Sequence, residues 1–395
     1  MLRRAKIVGC TTLVMFVLVL VCQGTRRKNT PRSTVGRQLI QAHYETTETF
    51  PNLVFVKPHK IGGTTMGGIT RRIASRHGGT TEEYNHRLGK EDFFAKTWNV
   101  PKLGKKPGVK MHMWANHLNC MSMFQHTDKR VFQKAFKFTI TRDPVDRCLS
   151  EFYYDGDSGS REALKKEGIR EGMEYHPDPS GDEPATKAKI KYIPKCMEQS
   201  VYAYTRCSED LSMMDVLNTY QLVGITERWV DTIALMKMKL DLNYGDILHL
   251  STKVNDAQPN AAGGKIVAAG IARPPISEEP QVVIDAINAR PETKLDKEFW
   301  KLANERMDAE IAELTPEGFP EVRAKVERIL AELKEYCTDE ANNPPYTEKE
   351  IAAWHKERDG DAERLFFLDC YWKDHGCGIK CMDKFADEMG LNDDY

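Results

Sequence analysis

The stretch LVFVKPHKIGGTTMGGITRRI, residues 53–73, decides the fold of this 395-residue chain. Its first four residues are apolar and predict a buried β-strand, which leads through a turn containing a lysine and two glycines into a helix. A strand, a glycine-bearing turn and a helix start together surround an anion with backbone N–H groups. The segment therefore predicts a cradle for a phosphate or sulfonate group.

The order of residues in this turn excludes the most familiar phosphate site. In the loop of ATPases and kinases the lysine follows the glycines, whereas here Lys60 precedes them. Hydroxyl groups at the start of the helix would add donors to the backbone N–H groups of its first turn. The residues predicted to bind the anion are Lys60, Gly62, Gly63, Thr64 and Thr65.

A second segment, FKFTITRDPVDRCLSEFYY at residues 136–154, predicts another strand that runs into a helix. Arg142 ends the strand and Ser150 lies along the helix, so both could bind one phosphate group. Arg147 and Glu151 are four residues apart on the same helix, a spacing that predicts a surface ion pair.

Together the two segments resemble the membrane-bound carbohydrate sulfotransferases, whose sulfonate donor is 3′-phosphoadenosine 5′-phosphosulfate (PAPS). The likeness is greatest to the heparan-sulfate 6-O-sulfotransferases and covers about residues 52–314, including VGITERWVDTIALMKMKLDL at 223–242 and LDKEFWKLANERMDAEIAEL at 295–314. The resemblance implies that the first segment binds the 5′-phosphosulfate of PAPS. It also implies that Arg142 and Ser150 bind the 3′-phosphate.

The resemblance places the catalytic base between the two segments, in VKMHMWANHLNCMSM at residues 109–123. It points to His112, with His117 as the rival. Neutral imidazole suits this role because a sugar hydroxyl attacks sulfur poorly until its proton is removed. Lys60 would stabilise the oxygen that leaves with 3′,5′-adenosine bisphosphate, and no metal ion is expected.

The N-terminal region predicts a membrane anchor. Residues 1–6 carry three basic side chains, residues 7–22 are uncharged and mostly apolar, and residues 23–50 are polar. We interpret them as a cytoplasmic tail, a signal-anchor transmembrane helix and a stem. The expected location is the Golgi membrane, single-pass with a luminal catalytic domain. Because the apolar run is only sixteen residues long, it could instead be a cleaved signal peptide, and the protein would then be secreted.

The rest of the chain predicts one α/β domain with a C-terminal extension. Alternating strands and helices over residues 51–337 indicate a doubly wound parallel sheet around a P-loop-like PAPS-binding core. Residues 155–194 are rich in charge, glycine and proline and are expected to form an insertion loop. Residues 338–395 form a cysteine-containing appendage outside the resemblance.

Ten cysteines suit the oxidising lumen that this location implies, and two to four disulfides are expected, with the connectivity left open. The cluster Cys370, Cys377 and Cys381 with His375 could alternatively bind zinc, but it lacks a tight C-x2-C pair.

The expected partners are a carbohydrate or glycan acceptor and, through the anchor, a membrane. With 57 basic and 58 acidic residues the net charge is −1, so no nucleic-acid partner is expected. The lysine-rich stretch at 102–110 could be an acceptor rim or a solvated loop. The sequence leaves the oligomeric state and the acceptor sugar open.

Two other functions remain possible from the sequence. A luminal glycosyltransferase would use a metal-binding Asp-x-Asp pair, which can be read at residues 155–157 or 359–361. A sulfotransferase-like protein that binds carbohydrate without turnover is the non-enzymatic alternative.

Overall fold

The structure is a computed structural model. It describes residues 50–77, 113–115, 117, 119–126, 133–154, 180–181, 184–198, 200–250, 274–339, 341–342 and 378–392. The predicted tail and anchor, the stem apart from Phe50, and His112 lie outside these residues. In the part of the chain that the structure describes, we find no helix with the length and apolar character needed to cross a bilayer.

A parallel four-stranded sheet forms the centre of the fold, with strand order β2-β1-β3-β4. Every residue of β1, β3 and β4 is buried, which is typical of a parallel sheet with both faces covered. This confirms the predicted mixed α/β fold with a parallel sheet. The strands are β1, Leu53–Val56; β2, Met113–Trp114; β3, Phe136–Thr141; and β4, Leu222–Ile225.

The strand order reverses direction between β1 and β3. After β1, the chain adds β2 on one side and then β3 on the other, so the carboxyl ends of β1 and β3 form a topological switch point. The Thr139 hydroxyl donates to the Val56 carbonyl at 2.9 Å and joins the two strands near this edge. Ligands of open α/β sheets bind at such a point, and both sequence segments end there.

Helices surround the sheet within the described residues. Both α7 and α9 pack against β4, and α1 packs against β1. Short 3₁₀ turns occur at Thr226–Arg228, Tyr244–Ile247, Ile276–Glu278 and Thr315–Glu317. The helices are α1, Gly63–Arg76; α2, Cys120–His126; α3, Pro144–Tyr154; α4, Pro184–Met197; α5, Val201–Thr205; α6, Met213–Thr219; α7, Trp229–Leu240; α8, Gln281–Asn288; α9, Pro291–Leu314; α10, Phe319–Tyr336; and α11, Ile379–Glu388.

Part of the predicted insertion loop is helical. Helix α4 begins at Pro184, so the loop prediction is wrong for residues 184–194, while residues 155–179 lie outside the described part. Its apolar residues Ala185, Tyr192 and Ile193 are buried in a cluster shared with α3 and α8. The apolar face of α4 was not recognised in the sequence because this segment contains many lysines and an internal proline.

Three disulfides occur among the described residues, which confirms that the chain is disulfide-bonded. Cys196 and Cys207 are close in sequence, but Cys196 bonds to Cys148 and Cys207 bonds to Cys120. Two of the bonds therefore join distant segments around the sheet, and Cys370 and Cys377 lie outside the described part. The pairs are Cys120–Cys207, Cys148–Cys196 and Cys337–Cys381.

The described part of the predicted appendage packs against the α/β core. A disulfide joins Cys337 at the end of α10 to α11. Asp383 of α11 pairs with Arg72 of α1 at 2.7 Å, and the Leu391 carbonyl accepts from the Gly245 amide at 3.0 Å. Helix α11 thus contacts the end of α1 that is remote from its first turn, and the described residues from Pro51 onward belong to one compact unit.

Candidate active site

The chain leaves β1 through a tight loop, Lys57–Gly63, which we call the glycine loop. Lys60 and Gly62 both have left-handed backbone angles, with φ of 61° and 78°. This conformation costs a residue with a side chain about 1–3 kcal/mol and persists where surrounding contacts hold it. One such contact is the hydrogen bond that the Lys60 carbonyl accepts from Arg142.

The glycine loop leads into the N-terminus of α1, which favours a bound anion. Gly62 is the N-cap of α1 and carries no side-chain cap, and the first turn contains no acidic residue. The first helical hydrogen bond runs from the Met66 amide to the Gly62 carbonyl at 3.1 Å, so the amides of Gly63, Thr64 and Thr65 have no acceptor within the helix. The helix dipole adds about half a positive charge here. The structure thus brings the first set of predicted residues to one place.

Gly63 is required by a side chain that sequence reasoning missed. A Cβ atom built on Gly63 would lie 2.7 Å from Cε and 2.9 Å from Cγ of Lys57. Lys57 is only 1% exposed, so its aliphatic chain packs directly against the first residue of α1. A lysine at the end of an apolar strand carries no local signal for this burial, which depends on the fold of the loop.

Arg142 joins the two sequence segments. Its Nη1 donates to the Lys60 carbonyl at 3.0 Å, and its Nε and Nη2 bond to the Asp146 carboxylate. Asp143 caps α3, because its Oδ1 accepts from the Asp146 amide at 2.9 Å. The cap and the ion pair together fix the planar guanidinium beside the glycine loop, at the switch point of the sheet.

Ser150 lies on the face of α3 that also carries Asp146. The two residues are four apart, which places them one turn from each other on the same side of the helix. Ser150 is 7% exposed. The structure therefore sets Ser150 one helical turn beyond the carboxylate that orients Arg142.

The neighbouring Arg147 has a structural role. Its ion pair with Glu151, 3.3 Å long, is buried, so the prediction of a surface pair is wrong. The guanidinium also donates to the Cys196 carbonyl at 2.8 Å and lies 3.9 Å from the Asp296 carboxylate. These contacts tie α3 to the end of α4 and to α9.

Two histidines meet at the glycine loop. His117 Nδ1 lies 3.0 Å from the Lys57 carbonyl, which can only accept, so Nδ1 carries the proton and the neutral ring keeps its basic lone pair on Nε2. The His59 ring stacks on it with centroids 4.1 Å apart and meets Tyr204 edge-on at 6.2 Å. Burial raises the pKa of Tyr204, whose hydroxyl is therefore neutral. His117, the rival base in the sequence, is thus beside the predicted anion site.

A threonine from the third resembling segment closes the site from the β4 side. The Thr226 hydroxyl lies 3.0 Å from the Ile61 carbonyl and 3.2 Å from the Thr141 carbonyl. It therefore links the glycine loop to the end of β3. Sequence reasoning noted this segment only as a strand and helix, and a threonine after a strand gives no sign of such a bridge.

The alternative zinc cluster lies outside the described residues except for Cys381. Both Asp-Gly-Asp sequences, at 155–157 and 359–361, also lie outside them. Within the part of the chain that is described, no three His, Cys, Asp or Glu side chains are grouped to hold a metal ion. The lysine-rich stretch at 102–110 is likewise outside the described residues.

Residues 46–192 match the model of the Sulfotransferase family. The matched region contains β1, the glycine loop, β3, Arg142 and most of α4. No curated protein matches the chain. The family match supports an enzyme that transfers a sulfonate group, and such enzymes generally use PAPS.

Proposed function

We propose that this protein is a PAPS-dependent sulfotransferase that transfers the sulfonate group to a hydroxyl of a carbohydrate acceptor. One observation carries the proposal: Arg142 Nη1 donates to the Lys60 carbonyl at 3.0 Å. This bond unites, at the switch point of a parallel sheet, the two segments that the sequence resemblance assigns to the two ends of the donor. The Sulfotransferase family match over residues 46–192 supports the reaction class.

The residues present suit a donor with phosphate groups at both ends. The backbone amides of Gly63, Thr64 and Thr65 in the first turn of α1 and the charge of Lys60 would bind the 5′-phosphosulfate. Gly63 has no Cβ, and the Lys57 side chain packs in the space that a Cβ would fill, so glycine is needed here to keep the shape of the loop beside the proposed anion site.

The far end of the donor would meet Arg142 and Ser150. A guanidinium recognises a phosphate with two parallel hydrogen bonds, and Asp146 holds its plane in one orientation. A nucleotide without the 3′-phosphate would leave these donors without the anion, so Arg142 would distinguish PAPS from other adenine nucleotides.

The proposed chemistry is an in-line displacement at sulfur. A histidine would take the proton of the acceptor hydroxyl, whose oxygen would form a bond to sulfur as the bond from sulfur to the bridging phosphate oxygen breaks. Lys60 would stabilise the negative charge on the departing oxygen of 3′,5′-adenosine bisphosphate. The resemblance assigns the base to His112, whereas the position of His117 at the glycine loop favours it as the alternative.

We further propose a Golgi-membrane location, with residues 7–22 as the anchor and a luminal catalytic domain that acts on a glycan. The three disulfides among the described residues are in keeping with an oxidising compartment. Heparan-sulfate 6-O-type specificity rests on the sequence resemblance. If residues 7–22 are instead removed as a signal peptide, the same enzyme would be secreted.

Calorimetric titration of the full-length chain with 3′,5′-adenosine bisphosphate tests the donor site. Binding should need no added metal and should exceed binding of 5′-AMP and UDP. Arg142→Ala should weaken it at least about tenfold, because a hydrogen bond to a charged group contributes about 1.5–3 kcal/mol. Arg328→Ala, at an exposed site on α10, is the matched control and should bind normally. A metal-dependent preference for UDP would instead favour the glycosyltransferase.

Turnover assays with PAPS and a panel of glycans distinguish the base. Lys60→Ala should abolish turnover. His112→Ala and His117→Ala should be compared for both turnover and binding of the bisphosphate product. The base is the histidine whose loss abolishes turnover and leaves binding within about twofold; loss of donor binding in His112→Ala would remove it from that role. Donor binding by wild type without turnover on any glycan would favour the inactive carbohydrate-binding protein.

A further inference from the structure

The indole ring of Trp229 lies against the glycine loop. A Cβ atom built on Gly62 would lie 3.1 Å from Cζ3 of this ring. Gly62 also has a left-handed φ of 78°, so its backbone angle favours glycine and a Cβ at this position would crowd the ring. Because Gly62 is the N-cap of α1, the ring bears on the residue that sets the direction of the first helical turn.

The Trp229 ring is itself held in place by His249. Trp229 Nε1 donates to His249 Nε2 at 2.8 Å, and His249 Nδ1 lies 2.9 Å from the Ile247 carbonyl. Because a carbonyl only accepts, the proton of the neutral imidazole is on Nδ1, which leaves the Nε2 lone pair for the indole. The rings meet edge to face, with centroids 5.7 Å apart. Both polar ends of His249 therefore serve to orient Trp229.

We propose that Trp229 is a positioning residue of the donor site and that His249 acts through it. The Ile247 carbonyl, His249, Trp229 and Gly62 form a continuous series of contacts from the 3₁₀ turn Tyr244–Ile247 to the glycine loop. The indole fixes the backbone of Gly62 and hence the direction of the amides that follow it. This assignment rests on the proposed function, in which those amides bind the 5′-phosphosulfate.

The series explains how an uncapped helix start keeps one geometry. The N-cap residue Gly62 has no side chain that could cap α1, so packing contacts restrain it. On one side of Gly62, the Thr226 hydroxyl binds the Ile61 carbonyl. At Gly62 itself, Trp229 provides the packing surface. Thr226 follows β4 directly and Trp229 begins α7 three residues later, so one short segment contacts the glycine loop at two places.

Hydrogen exchange of the glycine loop in the full-length protein, without nucleotide, tests the positioning directly. Amide exchange over residues 57–66 should be about tenfold faster in Trp229→Leu and in His249→Leu than in wild type, because the loop opens more readily once its packing support is removed. His249→Gln should restore wild-type exchange, since the amide can accept from the indole and donate to the Ile247 carbonyl. Tyr336→Phe also removes an aromatic donor, at the contact with Glu388, and should leave this exchange unchanged.

Calorimetry with 3′,5′-adenosine bisphosphate supplies the functional readout. We expect Trp229→Leu to raise the dissociation constant about tenfold, with Trp229→Phe intermediate and His249→Gln within about twofold of wild type. Unchanged loop exchange and an unchanged dissociation constant in a folded Trp229→Leu protein would overturn the inference. If exchange is faster in Trp229→Leu but wild type does not bind the bisphosphate, Trp229 would still be shown to support the glycine loop, and the proposed function would be refuted.

Discussion

His249 should make the stability of this protein depend on pH between about 4 and 6.5. Burial lowers the pKa of His249 from 6.5 to about 4, despite the hydrogen bond to the Ile247 carbonyl. The unfolded chain therefore binds a proton at this residue below pH 6.5, whereas the folded chain resists protonation until about pH 4. The stabilisation is complete above pH 6.5 and is lost as the pH falls through this window.

The size of the effect follows from the two pKa values. Each pKa unit corresponds to about 1.36 kcal/mol, so the full difference is about 3 kcal/mol near pH 4. At pH 5 the linkage relation gives a loss of about 2 kcal/mol, and at pH 7.5 the loss is negligible. His249→Gln keeps both hydrogen bonds and does not titrate, so it removes this dependence and leaves all other titrating groups in place.

Urea unfolding at pH 5 and pH 7.5, followed by far-UV circular dichroism, measures the difference in unfolding free energy between wild type and His249→Gln. The two proteins should differ by less than about 1 kcal/mol at pH 7.5, because a retained hydrogen bond changes stability little. At pH 5 the variant should gain about 2 kcal/mol relative to wild type. Parallel pH dependence in the two proteins would show that folding does not lower the pKa of His249, and the reasoning from burial would then be wrong.

Two further predictions concern the packing around the site. Gly63→Ala should lower the unfolding free energy by about 1–3 kcal/mol and weaken binding of 3′,5′-adenosine bisphosphate, because the new methyl group would collide with Lys57. Urea unfolding measures the first effect and calorimetry the second. Unchanged stability and unchanged binding would show that the collision does not occur. Arg147→Met should destabilise by about 3–5 kcal/mol in urea, because it leaves Glu151 and Asp296 buried without their cation. The exposed pair partner Arg328→Met should cost less than about 1 kcal/mol, and equal losses would contradict the buried role of Arg147.

The sequence by itself determined the strands β1 and β3, the glycine-bearing turn, the helices that follow, and the selection of Lys60, Arg142 and Ser150 as candidate site residues. These features follow from local rules: apolar runs, glycine at left-handed angles and a capping aspartate before a proline. The resemblance of the two segments to one sulfotransferase family supplied their order and their roles. The helical pattern after residue 280 was also readable, because its apolar spacing is regular.

Only the tertiary structure decided which distant residues meet. Arg142 reaches the Lys60 carbonyl, His117 reaches the Lys57 carbonyl, and Trp229 packs against Gly62, although no local pattern relates these positions. The burial of the Arg147 ion pair and the pairing of the six bonded cysteines were equally unreadable. The physical reason is shared: hydrogen bonds, disulfides and close packing between segments dozens of residues apart depend on the strand order and on which helix faces are covered.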